Sequence, residues 1–180
     1  MGNFQQLQRQ LLNLIRRAVV GSVKPDSKCQ AVDVELLAGE KKGDIEHLEP
    51  YGFTSHANPG AEALVLFPDA DRSHAVAVTV SDRRYRVRSL KQGEVAIYDD
   101  LGQSVTLTRA GIVVNGAGKP ITFMNAPKAR FEMDIESTGQ IKDHCDTTGV
   151  TMAAMRLTYN GHIHKENGNS TDVPDKQMGT

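Results

Sequence analysis

From Ser137 to Gly149 the chain has too little apolar material to bury by itself, only Ile141 and Cys145 being appreciably apolar, and this limits the folds open to it more than any other feature. Past Leu90 the expected strands are short and broken by glycine. Fixing a residue's backbone costs about 1 to 2 kcal/mol, which the Ser137 to Gly149 stretch cannot offset alone. Winding together with identical chains would supply partner strands and cover the edges; the competing expectation is a polar tail without fixed structure. Just upstream, Phe131-Glu132-Met133-Asp134-Ile135-Glu136 alternates strictly. That pattern predicts a strand with one buried apolar face and one wet acidic face.

Gly93, Gly102 and Gly111 are evenly spaced, and Val95, Val105 and Ile112 follow them closely. This weak repeat suggests stacked turns of a β-solenoid. The glycine-rich signature of calcium-binding repeats is absent, so the repeat does not itself predict calcium.

The first half reads differently. Phe4, Leu7, Leu11, Leu14 and Ile15 recur at helical spacing, which predicts an N-terminal helix over residues 1–17, the only helix expected. Short strands follow at Ala18 to Val23, Gln30 to Leu37, Ala63 to Phe67 and Ala75 to Val80, separated by turn formers such as Asn58-Pro59-Gly60. This strand count, with a longer connection from Ala38 to Glu62, predicts an OB-like barrel over residues 18–90. The shaft then occupies 91–158, and a tip and tail occupy 159–180. The expected class is all-β.

A length of 180 residues allows one ordinary domain or two small ones. The net charge of -1, from 21 Lys and Arg against 22 Asp and Glu, gives no global field toward nucleic acid or an anionic membrane. Cys29 and Cys145 read as free thiols. Neither a signal peptide nor a membrane-spanning stretch is expected.

The strongest chemical signal is Tyr159-Asn160-Gly161-His162-Ile163-His164. On a strand, residues two apart share a side, so His162 and His164 would face one point. Two ligands from one chain rarely hold a transition metal, but a threefold axis beside them would gather six imidazoles. Six nitrogens suit an octahedral ion such as iron or nickel better than zinc. Taken alone, the pair is also what two exposed loop histidines look like. A metalloenzyme with an open coordination position is a further alternative, yet no third ligand stands nearby in sequence.

Other motifs carry less. His144 and Cys145 are adjacent, which on a strand turns them to opposite sides and disfavours a catalytic pair. Gly116-Ala117-Gly118-Lys119-Pro120 ends like a phosphate loop, but Pro120 stands where a Ser or Thr would reach magnesium, and a turn is expected. No nucleophile elbow or zinc-protease motif occurs. Arg83-Arg84-Tyr85-Arg86-Val87-Arg88 on an OB-like barrel supports the main rival function, single-stranded nucleic-acid binding. Asp69, Asp71 and Asp82 lie close by in sequence, which favours a charged edge or an inter-subunit contact.

Helix, barrel, glycine-punctuated shaft and His-Ile-His, in that order, resemble the central spike, or baseplate assembly protein V, family of contractile-tailed bacteriophages, in its phage Mu-like branch. Asn160 through Gly168 and the closing Thr171-Asp172-Val173-Pro174 carry the most specific likeness. The resemblance implies a non-enzymatic homotrimer with OB domains at the wide end, against other baseplate and tail-tube proteins. It also implies three chains wound into a triangular β-helix that meets the host outer membrane at its tip. One iron ion per trimer would be held by His162 and His164 of each chain, and calcium and chloride ions are further implied. No nucleic-acid partner is expected.

Overall fold

Strand β1 (Ile15–Lys24) is long enough to serve two neighbours. In the computed structural model, which describes Phe4 and residues 14–179, its first half pairs antiparallel with β4 (Glu62–Leu66), Ile15 opposite Leu66. Its second half pairs with β2 (Ala31–Glu35), Lys24 opposite Ala31. The register shifts between Val20 and Ser22, and such a bulge sharpens local twist. The twist at Gly21 lets one strand turn from one partner to the other.

β3 (Lys41–His47) continues from β2, and β5 (Val76–Ser81) pairs antiparallel with β4. A short parallel contact, Glu46 opposite Val76 and His47 opposite Ala77, closes the barrel in the order β1-β2-β3-β5-β4. Alternation along the strands puts Ala18, Val20, Val32, Val34, Ile45, Ala63, Val65 and Ala77 inside, with Leu36, Ala61 and Phe67 from adjoining turns. At the closure, buried His47 places Nδ1 3.1 Å from Gln30 Oε1, and its amide donates to the Gln30 carbonyl at 2.7 Å. A closed barrel leaves no free sheet edge, and this one completes its core within residues 18–77.

Four expected strands correspond to β1, β2, β4 and β5 with small boundary shifts. The expected helix falls mostly on residues 5–13, outside the described residues. Its last three positions, Ile15 to Arg17, belong to β1, where pairing with Leu64 to Leu66 takes over. β3 was hidden in the expected long connection, because only Ile45 and His47 of Lys-Lys-Gly-Asp-Ile-Glu-His turn inward.

Beyond the barrel, β6 (Val95–Tyr98), β7 (Ser104–Leu107) and β8 (Ile112–Asn115) form an antiparallel meander. Gly93, Gly102 and Gly111 have φ of 79°, 86° and 153° and each precedes a strand. The glycine repeat is therefore a strand-plus-tight-turn period in the single chain, not a solenoid coil. Asp99 fixes one turn by accepting the Leu101 and Gln103 amides at 2.9 and 2.8 Å. All four residues of β8 are exposed.

Residues 123–179 form a second unit. Phe131 to Glu136 is not a strand there: with no partner strand in its own chain, both faces are open, and Phe131, Met133 and Ile135 are 58%, 74% and 61% exposed. Helix α1 (Met152–Gly161) and a small hairpin, β9 (Lys165–Glu166) with β10 (Asn169–Ser170), follow. Strand predominates over helix in the described residues, as expected of an all-β chain. No helix among them is long and apolar enough to cross a membrane.

Candidate metal site

The site is built from both ends of α1. Lys142 bridges to Thr151 and the Met152 amide donates to the Ile141 carbonyl at 3.0 Å. Thr151 caps the helix, its hydroxyl accepting from the Ala154 amide at 3.1 Å. Met-Ala-Ala-Met-Arg-Leu then supplies strong helix formers. Residues expected as shaft strand thus form a helix, and Tyr159, Asn160 and Gly161 are its last turn, not a strand. The cap and local propensity outweigh the short apolar pattern.

The loop before the cap is closed tightly. Thr147 and Gly149 amides both donate to the His144 carbonyl, at 2.9 and 3.0 Å, and Val150 donates to Asp143 Oδ1 at 3.2 Å. A Cβ on Gly149 would lie 2.0 Å from the Asp143 carbonyl oxygen, closer than any real contact. Gly149→Ala should open this loop and speed amide exchange at Val150 by about 5- to 150-fold, the range that overpacking costs of about 1 to 3 kcal/mol give. Exchange in β1 to β5 should stay as in the parent, and hydrogen-exchange mass spectrometry reads both.

His162 follows the last helical residue with extended backbone (φ -75°, ψ 144°). Its Nδ1 lies 2.6 Å from the Tyr159 carbonyl oxygen. A carbonyl only accepts, so Nδ1 carries the hydrogen, and in the neutral ring Nε2 is the nitrogen with the lone pair. The His164 ring meets the His162 ring edge to face, centroids 5.2 Å apart. The two imidazoles are therefore neighbours, as the sequence predicts, through a helix end followed by extended backbone.

Downstream residues hold this arrangement. The His164 amide donates to Thr171 Oγ1 at 2.9 Å and the Thr171 amide donates back to the His164 carbonyl at 2.8 Å. The Asn160 side chain donates to the Met178 carbonyl at 3.0 Å and accepts its amide at 2.9 Å. None of these partners was visible as a functional residue in sequence, since all four contacts use a main-chain atom on at least one side.

The donor set fits a borderline transition metal. A metal-bound imidazole ordinarily donates its other N–H to a carbonyl or carboxylate, as His162 does to Tyr159. The helix C-terminus beneath it carries partial negative charge that favours a cation. His162 and His164 are two candidate nitrogen donors of one chain, and among the described residues no group of three or more His, Cys, Asp or Glu gathers within it. His144, at a left-handed φ of 41°, lines an open groove with Tyr159 and His162.

The family model described as Bacteriophage Mu Gp45, N-terminal, matches residues 17–84, the span of the barrel. The chain is 30% identical over 181 residues to the "Baseplate puncturing device gp45" of Escherichia phage Mu, covering 93% of this chain and 91% of that one. The chain belongs to the Mu-like baseplate spike family. It is also 28% identical over 157 residues to the "Mu-like prophage FluMu protein gp45" of Haemophilus influenzae, covering 87% and 77% of the two chains.

Membership in the Mu-like spike family makes the chain a structural component of the virion tail baseplate, associated with other baseplate proteins, and not an enzyme. The arginine-rich segment has a structural account in this setting. Arg84 binds Asp82 through Nε and Nη2, reaches the Pro59 carbonyl at 2.9 Å and lies 5.3 Å from the Tyr85 ring centroid. Its guanidinium, followed by the Arg84 amide, holds the Asp82 carboxyl below the usual range. Arg83 binds Glu62 at 3.0 Å. Gly116-Ala117-Gly118-Lys119 is the expected turn, closed by the Lys119 amide on the Gly116 carbonyl at 2.9 Å.

Proposed function

We propose that three copies of this chain form the central spike of a contractile tail and pierce the host outer membrane mechanically, with the apex locked by a metal ion. The observation that carries the trimer is the unpartnered apolar surface of a single chain. Ile112, Val113 and Val114 are 68%, 52% and 55% exposed, both faces of one strand, and in the second unit Phe131, Met133 and Ile135 are exposed as well. Monomeric soluble proteins rarely expose large contiguous apolar patches. Identical chains wound into a triangular β-helix would bury these residues and pair the open edges. The barrel is read as OB-like, supported by its strand order and by parallel closure between β3 and β5. It would seat against neighbouring baseplate and tail-tube proteins at the wide end, and the name of the phage Mu relative supports the puncturing role.

In this reading His162 and His164 of each chain contribute Nε2 donors, giving six imidazoles on a threefold axis, and iron suits that set. The ion, when bound, supplies a cross-link between three chain ends and no reaction. Because it binds folded trimer and not separate chains, it stabilises the assembly by mass action. Calcium and chloride ions remain expectations of the family resemblance alone.

Native mass spectrometry with elemental analysis tests the whole reading: three chains with one iron are expected, and a monomer without metal would overturn it. Phe131→Asp combined with Ile135→Asp should leave monomers whose barrel still folds, since charge would have to enter the buried seam at a cost of several kcal/mol per ion. Size-exclusion chromatography with light scattering checks this; an intact trimer would remove those residues from the interface.

A further inference from the structure

The two histidines are only as good a clamp as the segments that aim them, and one of those segments lies beyond them in the chain. His162 is aimed from upstream, by the Tyr159 carbonyl on its Nδ1. His164 has no such helix behind it. Its backbone is instead held from downstream by a reciprocal pair of hydrogen bonds with Thr171, amide to Oγ1 at 2.9 Å and carbonyl to amide at 2.8 Å. Between the two residues the chain turns back through β9 and β10, with Gly168 at φ 91° making the reversal. The second amide clasp, Asn160 to Met178, ties the returning tail to α1.

We propose that Thr171 is a positioning residue for the metal clamp, its hydroxyl fixing the main chain of His164 so that this ring stands against His162 before any ion arrives. The inference rests on the metal reading of the two histidines and adds a residue to it. A ligand held in place loses less freedom on binding, and residues outside the ligand set that orient ligands typically change metal affinity by about 10- to 100-fold when removed. Three chains meet at one ion, so one substitution loosens three ligands at once. The tail is thereby part of the clamp, although it contributes no ligand.

Thr171→Val keeps the shape of the side chain and removes the accepting oxygen; Thr171→Ser keeps the oxygen. The full-length parent, both variants and the His162→Ala/His164→Ala chain are loaded with Fe(II) without oxygen, then challenged with graded chelator, and the iron retained is measured beside native mass. The expected result is iron lost from Thr171→Val at about 10- to 100-fold lower chelator than from the parent. Thr171→Ser should stay within about 3-fold of the parent, and all should keep the same barrel unfolding transition. Thr171→Val holding iron like the parent, while the double histidine variant holds none, would overturn the positioning role and leave the clamp standing. Iron retained at parent level by the double histidine variant would overturn the clamp and this inference with it. A Thr171→Val chain that has lost its trimer is replaced by Asn160→Ala, which breaks only the Met178 clasp. Unchanged iron retention in that trimer would count against the tail's role.

Discussion

Purified with His162→Ala and His164→Ala together, the chain is expected to carry no iron, where the parent is expected, on the trimeric metal reading proposed above, to carry one ion per three chains. The Tyr159 carbonyl accepts the Nδ1 hydrogen of His162, which leaves Nε2 as the nitrogen of the neutral ring that can bind an ion. On the trimeric reading His162 and His164 of three chains give six imidazoles, which saturate an octahedral ion, and among the described residues no group of three or more His, Cys, Asp or Glu could replace them. The apex should fray while the barrel, whose core lies within residues 18–77, stays folded. Elemental analysis reads the metal, and hydrogen exchange at residues 152–171 reads the fraying. Undiminished iron in the double variant would place the metal elsewhere.

Phe67→Ala should be the most damaging single change in the barrel. Phe67 is 1% exposed, with the Arg72 guanidinium 5.3 Å and the Lys42 ammonium 5.9 Å from its ring centroid. Truncating a buried phenylalanine costs about 3 to 5 kcal/mol, against about 5 to 15 kcal/mol for a whole domain. Tyr51→Ala is the matched control, since Tyr51 is fully exposed and surface changes of this kind stay within about 0.5 kcal/mol. Denaturant unfolding followed by circular dichroism distinguishes them. Equal midpoints for the two variants would mean that Phe67 is not a core residue.

Much of the barrel was legible because its strands alternate cleanly: Ala18 and Val20, Val32 and Val34, Ala63 and Val65 all turn inward as period-two reading predicts. β3 was not legible, because a strand whose outward face is Lys41, Asp44 and Glu46 looks like a charged loop. Helix α1 was missed for a different reason. The signal was present in Thr151 as a cap and in Ala153, Ala154 and Arg156 as helix formers, but a ten-residue helix with no buried residue lacks the apolar stripe that periodicity detects. At the site, the pairing of His162 with His164 could be read from spacing. The tautomer could not, since it depends on where one carbonyl points.

The short parallel contact between β3 and β5 has a temporal meaning. Because it closes the barrel using nothing beyond Ser81, the first half of the chain can finish folding during synthesis, while the remainder is still inside the ribosome or newly emerged. Domains generally fold as units in that order, and subunit assembly is slower and concentration-dependent. On the trimeric reading, each chain then waits as a finished barrel trailing a sticky, unpaired strand until two siblings arrive. Yield should therefore rise with expression level up to the point where the trailing segments meet in the wrong register.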